Sequence, residues 1–206
     1  MSTSNTHPGL NLGETHGETH DAAEDLIFGF WIFMMSDAIL FGLLFATYVT
    51  MQGATAGGPG PQDLFEMRAA FAETMILLTS SLTCGMALVA LKHKQSTRSV
   101  LAWLGLSLLL GATFLGFELH DFVTMVDKGG VPQRSGFLSA FWALVPLHGL
   151  HVTAAMIWAL ALIAQIRVYG VDHRVKLGLL RFGVLWHFLD IVWIGIFSIV
   201  YLWGLA

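Results

Sequence analysis

The sequence predicts an all-α integral membrane protein, a bundle of five transmembrane helices, and three observations support this. The 206 residues are 55% hydrophobic and only 12% charged. About 20 consecutive, mostly apolar residues span a bilayer, and five such runs occur, at residues 27–51, 70–92, 99–126, 136–166 and 181–205. The runs lack the alternation of barrel strands, and an isolated strand cannot satisfy its backbone in lipid, so helices are predicted.

A polar tail, residues 1–26, precedes the membrane domain predicted for residues 27–206. Its first 25 residues contain no Lys or Arg and lack the apolar core of a cleavable signal peptide, so we expect a mobile tail. Its histidines, His7, His16 and His20, offer a weak metal site at most.

The first two spans each carry one carboxylate. Asp37 lies ten residues into the first span, which is about 15 Å at the helical rise and therefore near mid-membrane. Such a group is either a hydrogen-bonded structural residue at a helix contact or a proton-linked or lipid-headgroup site. Glu73, near the start of the second span, is expected at the membrane interface. The hydroxylated residues 79–81 that follow suit close helix contacts.

The third span ends in a polar cluster formed by Glu118, His120 and Asp121. Glu118 and Asp121 are three residues apart and share one helix face, whereas His120 points elsewhere. Because water is close at this end of the span, we favour an interfacial hydrogen-bond network over a metal site.

The last two spans each carry a polar pair at a spacing of three residues. His148 and His151 follow Pro146, which is expected to kink the fourth span. His187 and Asp190 share one face of the fifth span. A carboxylate at this depth requires a partner, which His187 or a histidine of the fourth span would provide. We expect both pairs to be structural hydrogen-bond networks.

Ionisable groups on four of the five spans leave three classes of protein open: a haem-binding membrane cytochrome, a proton-coupled transporter, and a non-catalytic subunit of a respiratory enzyme. His148 or His151 facing His187 would supply one axial haem pair, but a second pair is missing. A transporter would show an internal repeat, which five unequal spans do not. The lone Cys84 permits no disulfide or cysteine cluster within the chain, and nothing indicates nucleic-acid binding.

The distribution of basic residues predicts the orientation. Seven Lys and Arg fall on the N-terminal side of the membrane, four of them in a basic loop expected at residues 167–181, and three fall on the other side. By the positive-inside rule the N-terminus is cytoplasmic and the C-terminus periplasmic.

Five ordered motifs resemble subunit III of haem-copper terminal oxidases, and the resemblance extends over residues 27–205. The motifs are SDAILF at 36–41, GATFLGFE at 111–118, SGFLSAF at 135–141, HGLHV at 148–152 and WHFLDIVW at 186–193. Residues 53–59 and 134–141 are most similar to the branch of this family found in bo-type ubiquinol oxidases, and the aa3-type cytochrome c oxidases are the alternative.

The resemblance implies a non-catalytic subunit of a proton-pumping ubiquinol oxidase in the bacterial inner membrane, which reduces oxygen to water in aerobic respiration. It implies partners in the catalytic subunit I, subunit II and the small subunit IV, together with phospholipid. Haems and copper are expected in the catalytic partner, and no cofactor or metal in this chain.

Within that family an intramembrane carboxylate, often Glu, stands where this chain has Asp37. The resemblance therefore implies that Asp37 is the lipid-facing or proton-linked residue. Larger members have seven spans, and the five predicted here lack the first two, so a lipid cleft between two helix groups requires helices from a neighbouring subunit. No lipid contact is assigned to Arg167.

Overall fold

The computed structural model describes residues 17–93 and 96–205, and helices dominate both ranges. Within these ranges there are seven α-helices, one 3₁₀ turn and one π-helical segment, and no strand. The 3₁₀ turn, Pro132–Arg134, precedes the fifth α-helix, and the π-helical segment, Phe197–Leu202, follows the sixth. In chain order the α-helices are α1 (Gly17–Met51), α2 (Pro61–Leu64), α3 (Met67–Lys92), α4 (Thr97–Asp127), α5 (Gly136–Tyr169), α6 (His173–Ile196) and α7 (Trp203–Leu205).

Five helices of the described ranges are long and apolar enough to cross a membrane, which confirms the predicted all-α bundle of five spans. They are Ile27–Met51, Met67–Lys92, Thr97–Asp127, Gly136–Tyr169 and Arg174–Leu202. The first helix already begins at Gly17, ten residues before its membrane span. His7 and His16 of the suggested weak metal site lie outside the described residues, as does the side chain of His20.

The basic loop predicted at residues 167–181 is wrong, because only residues 170–172 separate α5 from α6. Gly170, with φ of 73°, ends α5 in a conformation that favours glycine. Asp172 then caps α6, its Oδ1 accepting a hydrogen bond of 2.8 Å from the Val175 backbone N–H. Basic residues tolerate these helix ends because their long apolar stems let the charge reach water.

Hydroxylated residues join α3 to α4. Ser80 donates a hydrogen bond of 2.9 Å to the Ser107 carbonyl across the two helices, and Thr83 Oγ1 lies 2.7 Å from Ser107 Oγ. Ser80 and Ser107 are fully buried. Small residues bring the two backbones close, and the hydroxyls satisfy one another where water is excluded. The close contact expected for this stretch of the second span is therefore formed with α4.

Helix α5 contacts α1, α4 and α6. Pro146 is accommodated inside this single continuous helix. The first helix is peripheral and packs mainly against α5 and α6, leaving many of its large apolar residues exposed. We call the end of the bundle that holds the start of α1 and residues 170–172 the N-terminal face, and the end with residues 52–66 and 128–135 the opposite face.

Candidate functional site

A carboxylate and an imidazole meet between α1 and α5, near the middle of the spans. Asp37 Oδ2 lies 3.3 Å from His151 Nε2, and the Asp37 side chain is 9% exposed. His151 Nδ1 donates a hydrogen bond of 2.8 Å to the Leu147 carbonyl oxygen. We call these two residues the Asp37–His151 pair.

The hydrogen bond to Leu147 determines which ring nitrogen of His151 carries a hydrogen and which one faces Asp37. Because a carbonyl oxygen only accepts, His151 Nδ1 carries a hydrogen, and Nε2 is the nitrogen that faces the carboxyl group. An ionised carboxylate opposite an unprotonated Nε2 would place two lone pairs in contact. Asp37 Oδ2 and His151 Nε2 face each other directly across the contact between α1 and α5.

An apolar groove of about 290 Å³ leads to His151 from the surface of the bundle. Helix α1 supplies Phe30 and Phe33, α5 supplies Ala154, Ala155 and Trp158, and α6 supplies Leu185. The two small alanines open a slot between larger aromatic walls. We call this depression the α1–α5 groove, and its shape and lining suit an alkyl chain.

His148, predicted to share a polar face with His151, has a different environment. Its ring is fully buried and is surrounded by Phe41, Phe114 and Trp193 at centroid distances between 5.5 and 6.3 Å. Neither ring nitrogen has a hydrogen-bond partner among the described residues. Phe41 thus contacts both rings, but within the part of the chain that the structure describes His151 has a carboxylate contact and His148 has none.

A second polar site joins α3 to α6. His187 Nδ1 lies 2.7 Å from Ser81 Oγ and 3.8 Å from Asp190 Oδ2. Asp190 is only 5% exposed, so the predicted i, i+3 pair is present and acquires Ser81 from another helix. One turn further on, Trp193 Nε1 donates to Thr74 Oγ1 at 3.1 Å. Within the described residues, no ion pair joins Asp190 to His148 or His151, which were its other candidate partners.

Carboxylates gather at the opposite face, where Glu118 and Asp121 line a cavity of about 220 Å³ between α3 and α4. His120, expected to point elsewhere, also lines this cavity, on its exposed side. Glu73, expected at the membrane interface, is instead buried within the bundle with 1% exposure. The position of Glu73 along the helix could have indicated this burial, because Glu73 lies two turns before Ser80 on the buried face of α3.

The structure therefore defines a multi-pass helical membrane protein with ionisable side chains paired between its spans. The chain belongs to the cytochrome c oxidase subunit III family, whose model matches residues 11–205. The resemblance found in the five sequence motifs is thereby confirmed.

Three relatives of nearly equal length are named as subunit 3 of three kinds of oxidase. Cytochrome bo(3) ubiquinol oxidase subunit 3 of Pseudomonas aeruginosa is 44% identical over 94% of this chain and 92% of that protein. Quinol oxidase subunit 3 of Bacillus subtilis is 40% identical over 87% and 88%, respectively. Cytochrome c oxidase subunit 3 of Bacillus sp. PS3 is 40% identical over 86% of each chain. The chain is thus a subunit of a bacterial terminal oxidase complex.

Proposed function

We propose that this chain is subunit 3 of a proton-pumping ubiquinol oxidase and is itself non-catalytic. Its three intramembrane histidines support this assignment. His151 faces Asp37, His187 contacts Ser81, and His148 is enclosed by aromatic rings. His151 and His187 thus each have a polar neighbour within the bundle, the ring of His148 is enclosed by aromatic side chains, and haem and copper are proposed to belong to a catalytic partner.

Ubiquinol, rather than cytochrome c, is the proposed electron donor of the complex. Of the three relatives described above, the one with the highest identity is named a ubiquinol oxidase subunit and a second is named a quinol oxidase subunit. The aa3-type cytochrome c oxidase is the less favoured alternative. Subunit I, subunit II and the small subunit IV are the proposed protein partners.

The Asp37–His151 pair is the proposed functional site within this subunit, and the 3.3 Å contact between its carboxylate and imidazole carries that proposal. A phospholipid acyl chain in the α1–α5 groove would cover His151 and exclude water from the pair. The lipid would also add contacts to α1, which has few within the bundle. Sustained turnover of the oxidase then depends on keeping this groove filled with lipid and on a proton shared between Asp37 Oδ2 and His151 Nε2.

The subunit is proposed to lie in the bacterial inner membrane with its N-terminal face in the cytoplasm. Of the basic residues predicted on that side, Arg167 and Arg174 lie in the helical ends around residues 170–172, and Arg181 lies two turns after Arg174 along α6. Attaching a reporter that is active only in the periplasm tests the orientation, with activity expected after Ala206 and absent before Met1.

Purification of the tagged chain in mild detergent tests the assignment as a whole. We expect subunits I and II to co-purify with a haem spectrum and with ubiquinol oxidase activity. Stripping those partners should leave this chain colourless. A haem band retained by the separated chain would instead make it a cytochrome, and oxidation of reduced cytochrome c by the intact complex would favour the aa3 alternative.

A further inference from the structure

The cavity at the opposite face contains a buried acid that the proposed oxidase role does not use. Most of its wall is apolar, formed by residues such as Phe65, Phe117, Phe122 and Phe141. Its polar lining consists of Glu66, Glu118, His120, Asp121, Thr124, Lys128 and Tyr201. A volume of about 220 Å³ accommodates several water molecules, each of which occupies roughly 30 Å³ in the liquid.

Glu118 is the acid at the base of this cavity. It is 3% exposed, and its Oε1 has no hydrogen-bond partner within the described residues. Its Oε2 lies against Gly149 of α5, where an added Cβ would approach it to 2.9 Å. The glycine thus makes room for the carboxyl group between α4 and α5. A buried acid without a protein partner requires a ligand from elsewhere, since buried polar groups are rarely left unsatisfied.

Asp121 adds a second carboxyl group to the lining of the cavity. Glu73 of α3 does not line the cavity but is buried within the bundle, and its charge, like that of Asp121, would act on Glu118. Glu73 is 1% exposed, and neither of its oxygens has a partner among the residues described. The one cation lining the cavity, Lys128, lies 3.9 Å from Glu66 at the solvent-exposed rim. Three ionised acids at this position would repel one another in a medium of low dielectric, so protons or cations must neutralise them.

Protons suit this arrangement better than a metal ion. Within the described residues, no group of three or more His, Cys, Asp or Glu is placed to hold a metal. Besides Glu118, the charged and titratable groups that line the cavity are Glu66 before α3, His120, Asp121 and Lys128 from the end of α4, and Tyr201 of the π-helical segment. Glu73 of α3 and Tyr48 of α1 are buried outside this lining. On α5, His148 precedes Gly149, and its ring is enclosed by Phe41, Phe114 and Trp193.

We infer that Glu118 and Asp121, with the buried Glu73 as a third acid behind the cavity wall, form a proton-binding site that exchanges through cavity water with the aqueous phase at the opposite face. Binding transfers a proton from a hydronium ion in the cavity to a carboxylate oxygen, leaving a carboxylic acid and water. The site is separate from the Asp37–His151 pair, which lies at mid-membrane between α1 and α5. Its protons therefore exchange whether or not lipid occupies the α1–α5 groove.

Infrared spectroscopy of the intact oxidase complex in lipid nanodiscs tests this site through the C=O stretch of protonated carboxyl groups. We expect a band in the wild type that Glu118→Gln removes. Asp127→Asn is the matched control, because Asp127 is exposed at the end of the same helix and does not line the cavity. On mixing with D₂O the Glu118 band should shift within seconds, as water-filled access requires.

Two results would overturn the proposal. A band unchanged in Glu118→Gln would show that this acid does not hold the proton. The second result is a wild-type C=O band of protonated carboxyl groups that shifts in D₂O only over hours, at least about a thousandfold more slowly than expected. It would show that the acid is sealed from water and exchanges its proton only when the bundle opens. The exchange measurement needs no variant, so it decides the question even where Glu118→Gln prevents assembly.

Discussion

Replacing Asp37 by alanine should spare assembly of the complex but shorten its active lifetime during turnover. The variant leaves His151 Nε2 without the carboxylate that lies 3.3 Å away. Loss of a partner from a buried polar group costs about 1–3 kcal/mol. The lower part of this range applies, because the His151 side chain is 22% exposed and gains partial solvation.

The expected cost weakens a peripheral helix contact. Helix α1 packs mainly on α5 and α6, whereas the other four spans form their own contacts, so assembly should persist. A loss of 1–3 kcal/mol corresponds to a change of about 5- to 150-fold in an equilibrium constant. The population with α1 displaced and the α1–α5 groove open should therefore rise, and the rate of inactivation should rise with it, nearer the fivefold end.

The assay records oxygen consumption by purified complex until activity decays, and compares decay rates at equal initial activity. Ser36→Ala is the matched control, since Ser36 is exposed beside Asp37 and its hydroxyl donates to the Phe33 carbonyl of its own helix. Asp37→Asn separates contact from proton exchange, because its amide donates to Nε2 but exchanges no carboxyl proton. Unchanged inactivation in Asp37→Ala would refute the role of the pair. Wild-type lifetime in Asp37→Asn would limit that role to the contact.

Three further predictions concern packing and cofactors. Gly111→Ala should lower the unfolding free energy by about 1–3 kcal/mol, measured by denaturation in detergent, because its Cβ would lie 2.9 Å from the Trp186 ring. A double-mutant cycle of Thr83→Val and Ser107→Ala should give a coupling of about 0.6 kcal/mol, typical of hydrogen bonds between membrane helices. His187→Ala should reduce the yield of assembled complex without changing its haem content per intact subunit.

Controls and contrary results for these three are available in the same chain. Gly116 has nothing within 4 Å of an added Cβ, so Gly116→Ala should be neutral, and an equal effect at Gly111 would contradict the packing argument. Additive effects of the two hydroxyl deletions would show that the 2.7 Å contact contributes nothing. A lower haem content per intact subunit in His187→Ala would show that this imidazole is a haem ligand rather than a structural group.

Hydrophobic length and helical spacing alone determined the architecture and several of its contacts. Apolar runs long enough to cross a bilayer have one regular solution in lipid, which is why the five spans were predictable. The i, i+3 spacing of His187 and Asp190 likewise sufficed to place them on one face, because a helix determines that geometry locally. Ordered motifs added the family.

Only the tertiary structure decided which ionisable groups meet across helices. The partnership of Asp37 with His151, the aromatic enclosure of His148 and the burial of Glu73 all depend on how the helices are rotated and paired. Spacing along one helix does not identify the neighbouring helix, so the contact of Asp37 with His151 could not be predicted, although the register of Glu73 with Ser80 already indicated a shared face. Interhelical packing excludes water from some polar residues and leaves others at the surface, and that difference separates a proton-holding acid from an ordinary interfacial one.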